Sequence, residues 1–259
     1  MGELEIATVA AADDAWVGAP TGSQIVETAE FRIARLPERF PDPLQVQWVR
    51  SARPAATVLT EIVERATGFG LPETVVCVKP SAPADLDEAL LARGAELVDT
   101  ADVLAMPLPA EFRATDLPGL EVRWRTTPKI GRDANTVGIA TFGGTRAPDV
   151  DVALQAASDR ETVAAGFGGA VVAYLDDTPV AVAGLEVADD VARLWGGGVL
   201  EAHRGLGVYR ALVATRLSYA AEHGATMALT KGRVSTSSPI LRRLGFVSYG
   251  QERTYRLAL

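Results

Sequence analysis

The clearest patterning of apolar and polar positions lies toward the C-terminus. Residues 168–200, GGAVVAYLDDTPVAVAGLEVADDVARLWGGGVL, hold three runs rich in valine, leucine and aromatic residues. Short acidic turns at Asp176–Thr178 and Ala188–Asp190 separate these runs, so the stretch reads as an antiparallel meander. From Gly207 to Glu222 the period changes. Val208, Ala211, Leu212, Thr215 and Tyr219 recur at steps of three and four, with Val213, Leu217 and Ala220 widening the stripe. That spacing predicts a helix packed on a sheet, stopped by Gly224. Residues 226–234 then read as a strand, 237–245 as a short helix with a serine cap and a glycine end, and 246–259 as two final strands. Upstream, 119–127 reads as an opening strand, with helical segments between Asp133 and Ala165 before the meander. The order predicts an α+β domain of three-layer α/β/α-like form. Its sheet is mixed but mostly antiparallel, with a helix crossing after the central strand.

The first half repeats part of this order more weakly. Residues 44–51 read as a strand, 54–68 as a helix opened by proline and closed by glycine, and 73–80 as another strand. Residues 83–98 match the pattern of 237–249: a short helix, a glycine and an outgoing strand. An internal duplication follows, with domains expected at 1–110 and 119–259. The stretch Pro107–Gly119, rich in proline and polar residues, would link them.

The length of 259 residues suits two domains, and 48% hydrophobic against 22% charged residues lets each bury a core. A formal charge of −8 argues against nucleic acid as the main partner, because phosphate backbones are bound by clustered lysine and arginine. Cys77 is the sole cysteine, which excludes an intrachain disulfide and a thiolate metal cluster. His203 and His223 make no recognisable metal site, so no metal is expected. The acidic N-terminus lacks the basic residues of a secretory leader, and no uncharged apolar run approaches the roughly 20 residues of a membrane span. A cytoplasmic protein without a membrane partner is the expectation.

Candidate chemistry concentrates in GGGVLEAHRGLGVYRAL, residues 196–212, where glycines cluster at a strand-to-helix junction. Ordered glycine costs conformational entropy, so such a cluster implies a bend or a close approach. The loop is not a dinucleotide fingerprint, since Arg210 stands where the third glycine belongs, and it lacks the lysine of a P-loop. No glycine-flanked serine elbow suggests a hydrolase. What remains is a strand, a tight loop and a helix N-terminus, whose unpaired N–H groups and dipole suit a pyrophosphate.

These residues resemble the coenzyme A loop of the GCN5-related N-acetyltransferases, which runs Gln or Arg, two residues, Gly, one residue, then Gly or Ala. Arg204 and Gly207 match, and Tyr209 stands at the usually small position. The resemblance covers about 119–259, including the short helix ending in LRRLGF (241–246). It implies an acyl-CoA N-acyltransferase fold with a splayed central strand, here duplicated, and acetyl-CoA as acyl donor. By that likeness the backbones of Gly197, Gly198 and Val199 would contact pantetheine. Those of Arg204, Gly205, Leu206, Gly207, Val208, Tyr209 and Arg210 would contact the pyrophosphate.

Acetyl transfer from a thioester to an amine needs a base, a donor to the oxyanion and a proton for the departing thiolate. The amide of Val199 would serve the oxyanion. Glu186, sharing its parity with Val180 and Val182, would project to the cleft as base. The family's tyrosine acid falls on Leu241, so that donor is missing; Tyr209, Tyr249 and Tyr255 are alternatives. Ser235 and Ser238 lie near the family's usual asparagine, where a serine suits helix capping. The first half has only SARPA (51–55) between its strand and helix, without glycine and with a proline that removes a donor. It therefore reads as a degenerate companion that shapes the acceptor pocket or replaces a dimer partner. The assembly would be a monomer with pseudo-dimeric halves or a homodimer. Two rival readings stay open: a coenzyme A-binding regulatory module without turnover, and a scaffold that binds no coenzyme at all.

Overall fold

The computed structural model describes residues 4–20, 22–38, 40–110 and 117–259. In chain order the elements are helix α1 (Ile6–Ala15), strands β1 (Gln24–Glu27), β2 (Phe31–Arg35) and β3 (Leu44–Val49), helix α2 (Ala55–Thr67), strand β4 (Glu73–Val78), helix α3 (Leu86–Ala92) and strand β5 (Glu96–Pro107). Strand β6 (Leu120–Trp124), helices α4 (Pro128–Phe142) and α5 (Asp149–Ala164) and strands β7 (Ala170–Leu175), β8 (Thr178–Ala188) and β9 (Val191–Val199) follow. The chain ends with α6 (Val208–Glu222), β10 (Met227–Arg233), α7 (Ser237–Arg243) and β11 (Val247–Ala258). The order β3-α2-β4-α3-β5 recurs as β9-α6-β10-α7-β11, the repeat that the sequence suggests.

Contacts group the chain into two compact units. A central unit holds Ala105–Thr230 with Leu4, and a terminal unit holds Glu5–Leu104 and Lys231–Leu259. The boundaries expected at 1–110 and 119–259 therefore do not describe this grouping, because the segment from Lys231 onward joins the first hundred residues. Strand pairing gives the reason: β11 runs antiparallel to β4 from Arg253–Val78 to Ala258–Glu73. The last strand of the second repeat thus completes the sheet of the first. Part of the expected linker, residues 111–116, lies outside the described residues.

In the terminal unit the strand order is β1-β2-β3-β4-β11. Helix α2 supplies Ala55, Val58, Leu59, Ile62 and Ala66 to a core shared with Phe31, Ile33, Val46 and Val76. Burying each large aliphatic side chain contributes about 1.5–3 kcal/mol, so this stripe holds α2 in place. The two strands expected over 246–259 are one. Gly250, at φ +147, lets β11 bend and continue.

In the central unit the order is β10-β9-β8-β7-β6, with β10 parallel to β9 and the remaining pairs antiparallel. The turn between β7 and β8 places Asp176 and Asp177 at φ +49 and +61, the left-handed pair that a tight hairpin requires. Helix α6 covers one face through Val208 and Leu212, packed with Val171, Ala173, Ala181 and Val199. Ala134 and Ile130 of α4 cover the other, against Val172, Tyr174 and Val182. Asp159 of α5 accepts Arg125 Nε at 2.6 Å and the Ala170 amide at 3.3 Å, fixing that helix to the start of β7.

Candidate active site

Strand β9 carries a bulge at its glycines. Val182 pairs with Gly198 and Gly184 with Trp195, so Gly196 and Gly197 together oppose Ala183. Gly196 sits at φ +57. A Cβ on Gly198 would stand 2.3 Å from Thr141 Cγ2, and one on Gly197 would stand 3.0 Å from Tyr209 Cε2. The glycines thus admit two helices from opposite faces, a close approach made by the chain itself.

The ladder also aims the backbone. The Leu200 amide donates to Val180 O at 2.9 Å, which makes Leu200–Val180 a hydrogen-bonded pair. Alternation then turns the N–H and C=O of Val199 away from β8, and those of Gly197 likewise. The Val199 carbonyl accepts Arg204 Nε at 3.2 Å on that outer edge. Among the described residues of the central unit, β10 accompanies β9 only as far as Leu194. The edge from Gly197 to Val199 has no strand partner there.

Beyond this edge a single 3-10 turn, Glu201–His203, leads into the loop. Gly205 at φ +80 and Gly207 at φ +88 hold left-handed backbone that other residues rarely adopt. Helix α6 has no side-chain cap. The amides of Val208, Tyr209 and Arg210 have no acceptor among the described residues. One expected contact needs correction: the Arg204 amide is already used, donating to Glu201 O at 3.2 Å.

The corresponding helix of the terminal unit is filled by its own chain. The first amide of α2, on Ala55, donates to Asp85 Oδ2 at 2.9 Å, so a carboxylate stands at this helix entrance. Strands β3 and β4 pair only at Gln45–Val75 and Val46–Val76. Residues 13–18 bridge the two strands beyond that point. Gln47 Nε2 donates to Gly18 O at 2.6 Å and Arg50 to Asp14 O at 2.9 Å from one side. From the other, Ser81 Oγ donates to Asp14 Oδ1 at 2.6 Å, and buried Lys79 donates to the Asp13 and Trp16 carbonyls.

Glu186 faces Arg193 across the β8–β9 ladder, 3.6 Å from its guanidinium, with half its side chain exposed. Glu186 does not share a face with both Val180 and Val182. An irregularity opposite Ala173 and Tyr174 puts Val180 on the α6 face and Val182 on the α4 face, so Glu186 shares only the face of Val182. Leu241 is buried, with no hydroxyl in its place. Tyr255 is committed to Asp87 at 2.7 Å. Ser238 does not cap α7; it is buried and donates to Asp102.

Tyr209 is different. Its hydroxyl would lie 3.4 Å from a Cβ at Gly197, and the Arg216 guanidinium acts on it electrostatically. Arg216 is fully buried and makes no ion pair among the described residues. Its Nε donates to Leu212 O at 3.0 Å and a terminal nitrogen to Gly184 O at 2.9 Å. Burial lowers its pKa to about 10. Burial likewise raises that of Tyr209, against the smaller lowering effect of Arg216. A charged residue at a core position of a helix was the one sequence signal for this pair.

Residues 144–246 match the model of the Acetyltransferase (GNAT) family. A GCN5-related N-acetyltransferase from Kribbella flavida is similar in fold at 18% identity and TM-score 0.68, over 99% of this chain and 96% of that one. Another from Sphaerobacter thermophilus gives 16% and 0.65, over 88% and 80%. A tandem GNAT protein from the clavulanic acid biosynthesis pathway gives 15% and 0.63, over 96% and 87%. No curated protein matches the sequence. No helix of the described residues is long and apolar enough to cross a membrane. With its mixed sheet, bulged strand and glycine loop, the chain carries over residues 144–246 a domain of the acetyltransferase (GNAT) family, which implies acyl transfer from acyl-coenzyme A to an acceptor.

Proposed function

We propose that the central unit transfers an acetyl group from acetyl-coenzyme A to an amine. One observation carries this reading: among the described residues of the central unit, three amides without acceptors open α6, next to a main-chain edge at Gly197–Val199 without a strand partner. In the terminal unit a carboxylate and residues 13–18 fill the equivalent places, so one coenzyme per chain follows. The loop amides from Gly205 to Arg210 would hold the pyrophosphate, and Gly197, Gly198 and Val199 the pantetheine arm.

Register favours one amide over the other for the oxyanion. Glu186 pairs with Arg193, six positions before Val199, and six strand positions span about 20 Å. One thioester cannot touch the Val199 amide while its attacking nitrogen meets Glu186. Gly197 lies two positions nearer and presents its amide on the same edge, so Gly197 replaces Val199 in this role. Glu186 takes a proton from the ammonium through water. The neutral nitrogen then bonds to the carbonyl carbon and gives up its second proton to water as the carbon–sulfur bond breaks, while the Tyr209 hydroxyl gives its proton to the departing sulfur and regains one from solvent.

The rival is coenzyme A binding without turnover, favoured by the buried Leu241 at the usual acid position. An assay of thiol release from acetyl-CoA with a panel of amines separates the two. Amine-dependent release supports transfer, whereas binding without release supports the rival.

A further inference from the structure

We infer that the acceptor is a monoamine on an aromatic or branched apolar body, received in a cavity of the central unit floored by Trp195. This inference rests on the amine-transfer reading above and names its substrate class. The cavity measures about 510 Å³, within the range of small-molecule sites, and is lined by Thr162, Phe167, Gly168, Leu185, Glu186 and Trp195 among others.

Its shape is built by two glycines. A Cβ at Gly184 would stand 2.2–2.3 Å from Cε2, Cδ2 and Cζ2 of Trp195, so the indole lies over Gly184 in space that any side chain would take. A Cβ at Gly168, itself at φ +86, would stand 2.7 Å from Leu185 O; this close approach sets the adjoining Phe167 beside the cavity. Phe167 is 59% exposed and Trp195 43% exposed. Two large aromatic faces left open at one concavity mark a surface for an apolar partner.

The single charged residue of the lining is Glu186. An ammonium near it is attracted both by the carboxylate and by the indole face. A polyamine or aminoglycoside finds no second carboxylate there and meets Arg193 beside Glu186. Trp195 directly precedes the bulge at Gly196, so a body resting on the indole keeps its nitrogen close to the edge at Gly197.

The test is calorimetric titration of 2-phenylethylamine, ethanolamine and spermidine into protein saturated with coenzyme A, and into protein without it. The expected result is at least tenfold tighter binding of 2-phenylethylamine than of either polar amine. Thr162→Trp, which fills the cavity, should abolish that binding, and Phe167→Ala should weaken it severalfold. Circular dichroism confirms that both variants fold. Equal affinities, no binding of 2-phenylethylamine, or full binding by both folded variants would overturn the inference. Failure of coenzyme A to bind would instead remove the transfer reading, with the cavity then judged by the titration into ligand-free protein.

Discussion

Tyr209 on α6 and Gly197 on β9 interlock: a Cβ at Gly197 would stand 3.0 Å from the tyrosine ring and 3.4 Å from its hydroxyl. The ring therefore occupies the space left by the missing side chain, and the charge of Arg216 acts on its hydroxyl. Where the family resemblance calls for a small residue in the loop, this chain has a phenol beside the bulge. If that phenol protonates the departing thiolate, Tyr209→Phe lowers kcat by about 10²-fold, the lower end of general acid contributions. Coenzyme A affinity stays within twofold. Steady-state kinetics and calorimetry on the same preparation check the split, and an unchanged kcat removes Tyr209 from the mechanism.

The same pair sets a pH limit. Burial raises the Tyr209 pKa above the ordinary tyrosine value of about 10, and Arg216 only partly opposes this. A proton donor fails as pH rises through its pKa, so a raised pKa moves the failure upward. The alkaline fall of kcat should therefore lie above pH 10, and activity should hold from pH 8 to about 10. A pH–rate profile with a decline centred below 9 contradicts this assignment.

Asp159 predicts a stability effect. Its carboxylate is almost fully buried and receives Arg125, Gln155 and the Ala170 amide. Removing one partner of a buried pair leaves the other uncompensated, so Asp159→Ala should lower unfolding free energy by about 3 kcal/mol. Urea denaturation measures it, and a loss below about 1 kcal/mol would place this pair with ordinary surface bridges.

Much of the fold was legible because its signals are local. The meander follows from apolar runs punctuated by acidic turns, and α6 from its three-and-four spacing. The partner of β11 was not legible, because which sheet a final strand joins depends on contacts far along the chain, here with β4. Helix α1 was not legible because its alanines and aspartates form no stripe. It lies in the segment whose later residues, 13–18, bridge β3 and β4. The left-handed backbone at Gly205 and Gly207 was legible from the clustering of glycine at a strand-to-helix junction. The face of Glu186 was only partly legible because one irregularity in β8 resets parity, and irregularities leave little trace in composition.

The central claim is that the glycine loop before α6 holds the coenzyme and that its counterpart in the terminal unit does not. Calorimetric titration of acetyl-CoA into the wild type, Gly207→Glu and Leu206→Glu tests it most directly. The first substitution sets bulk and charge at a left-handed residue, and the second sets charge on an exposed one without backbone strain. The account predicts one site per chain in the wild type and at least a tenfold loss of affinity in both variants, with folding verified. Two sites per chain, or undiminished binding in folded Leu206→Glu, would contradict it.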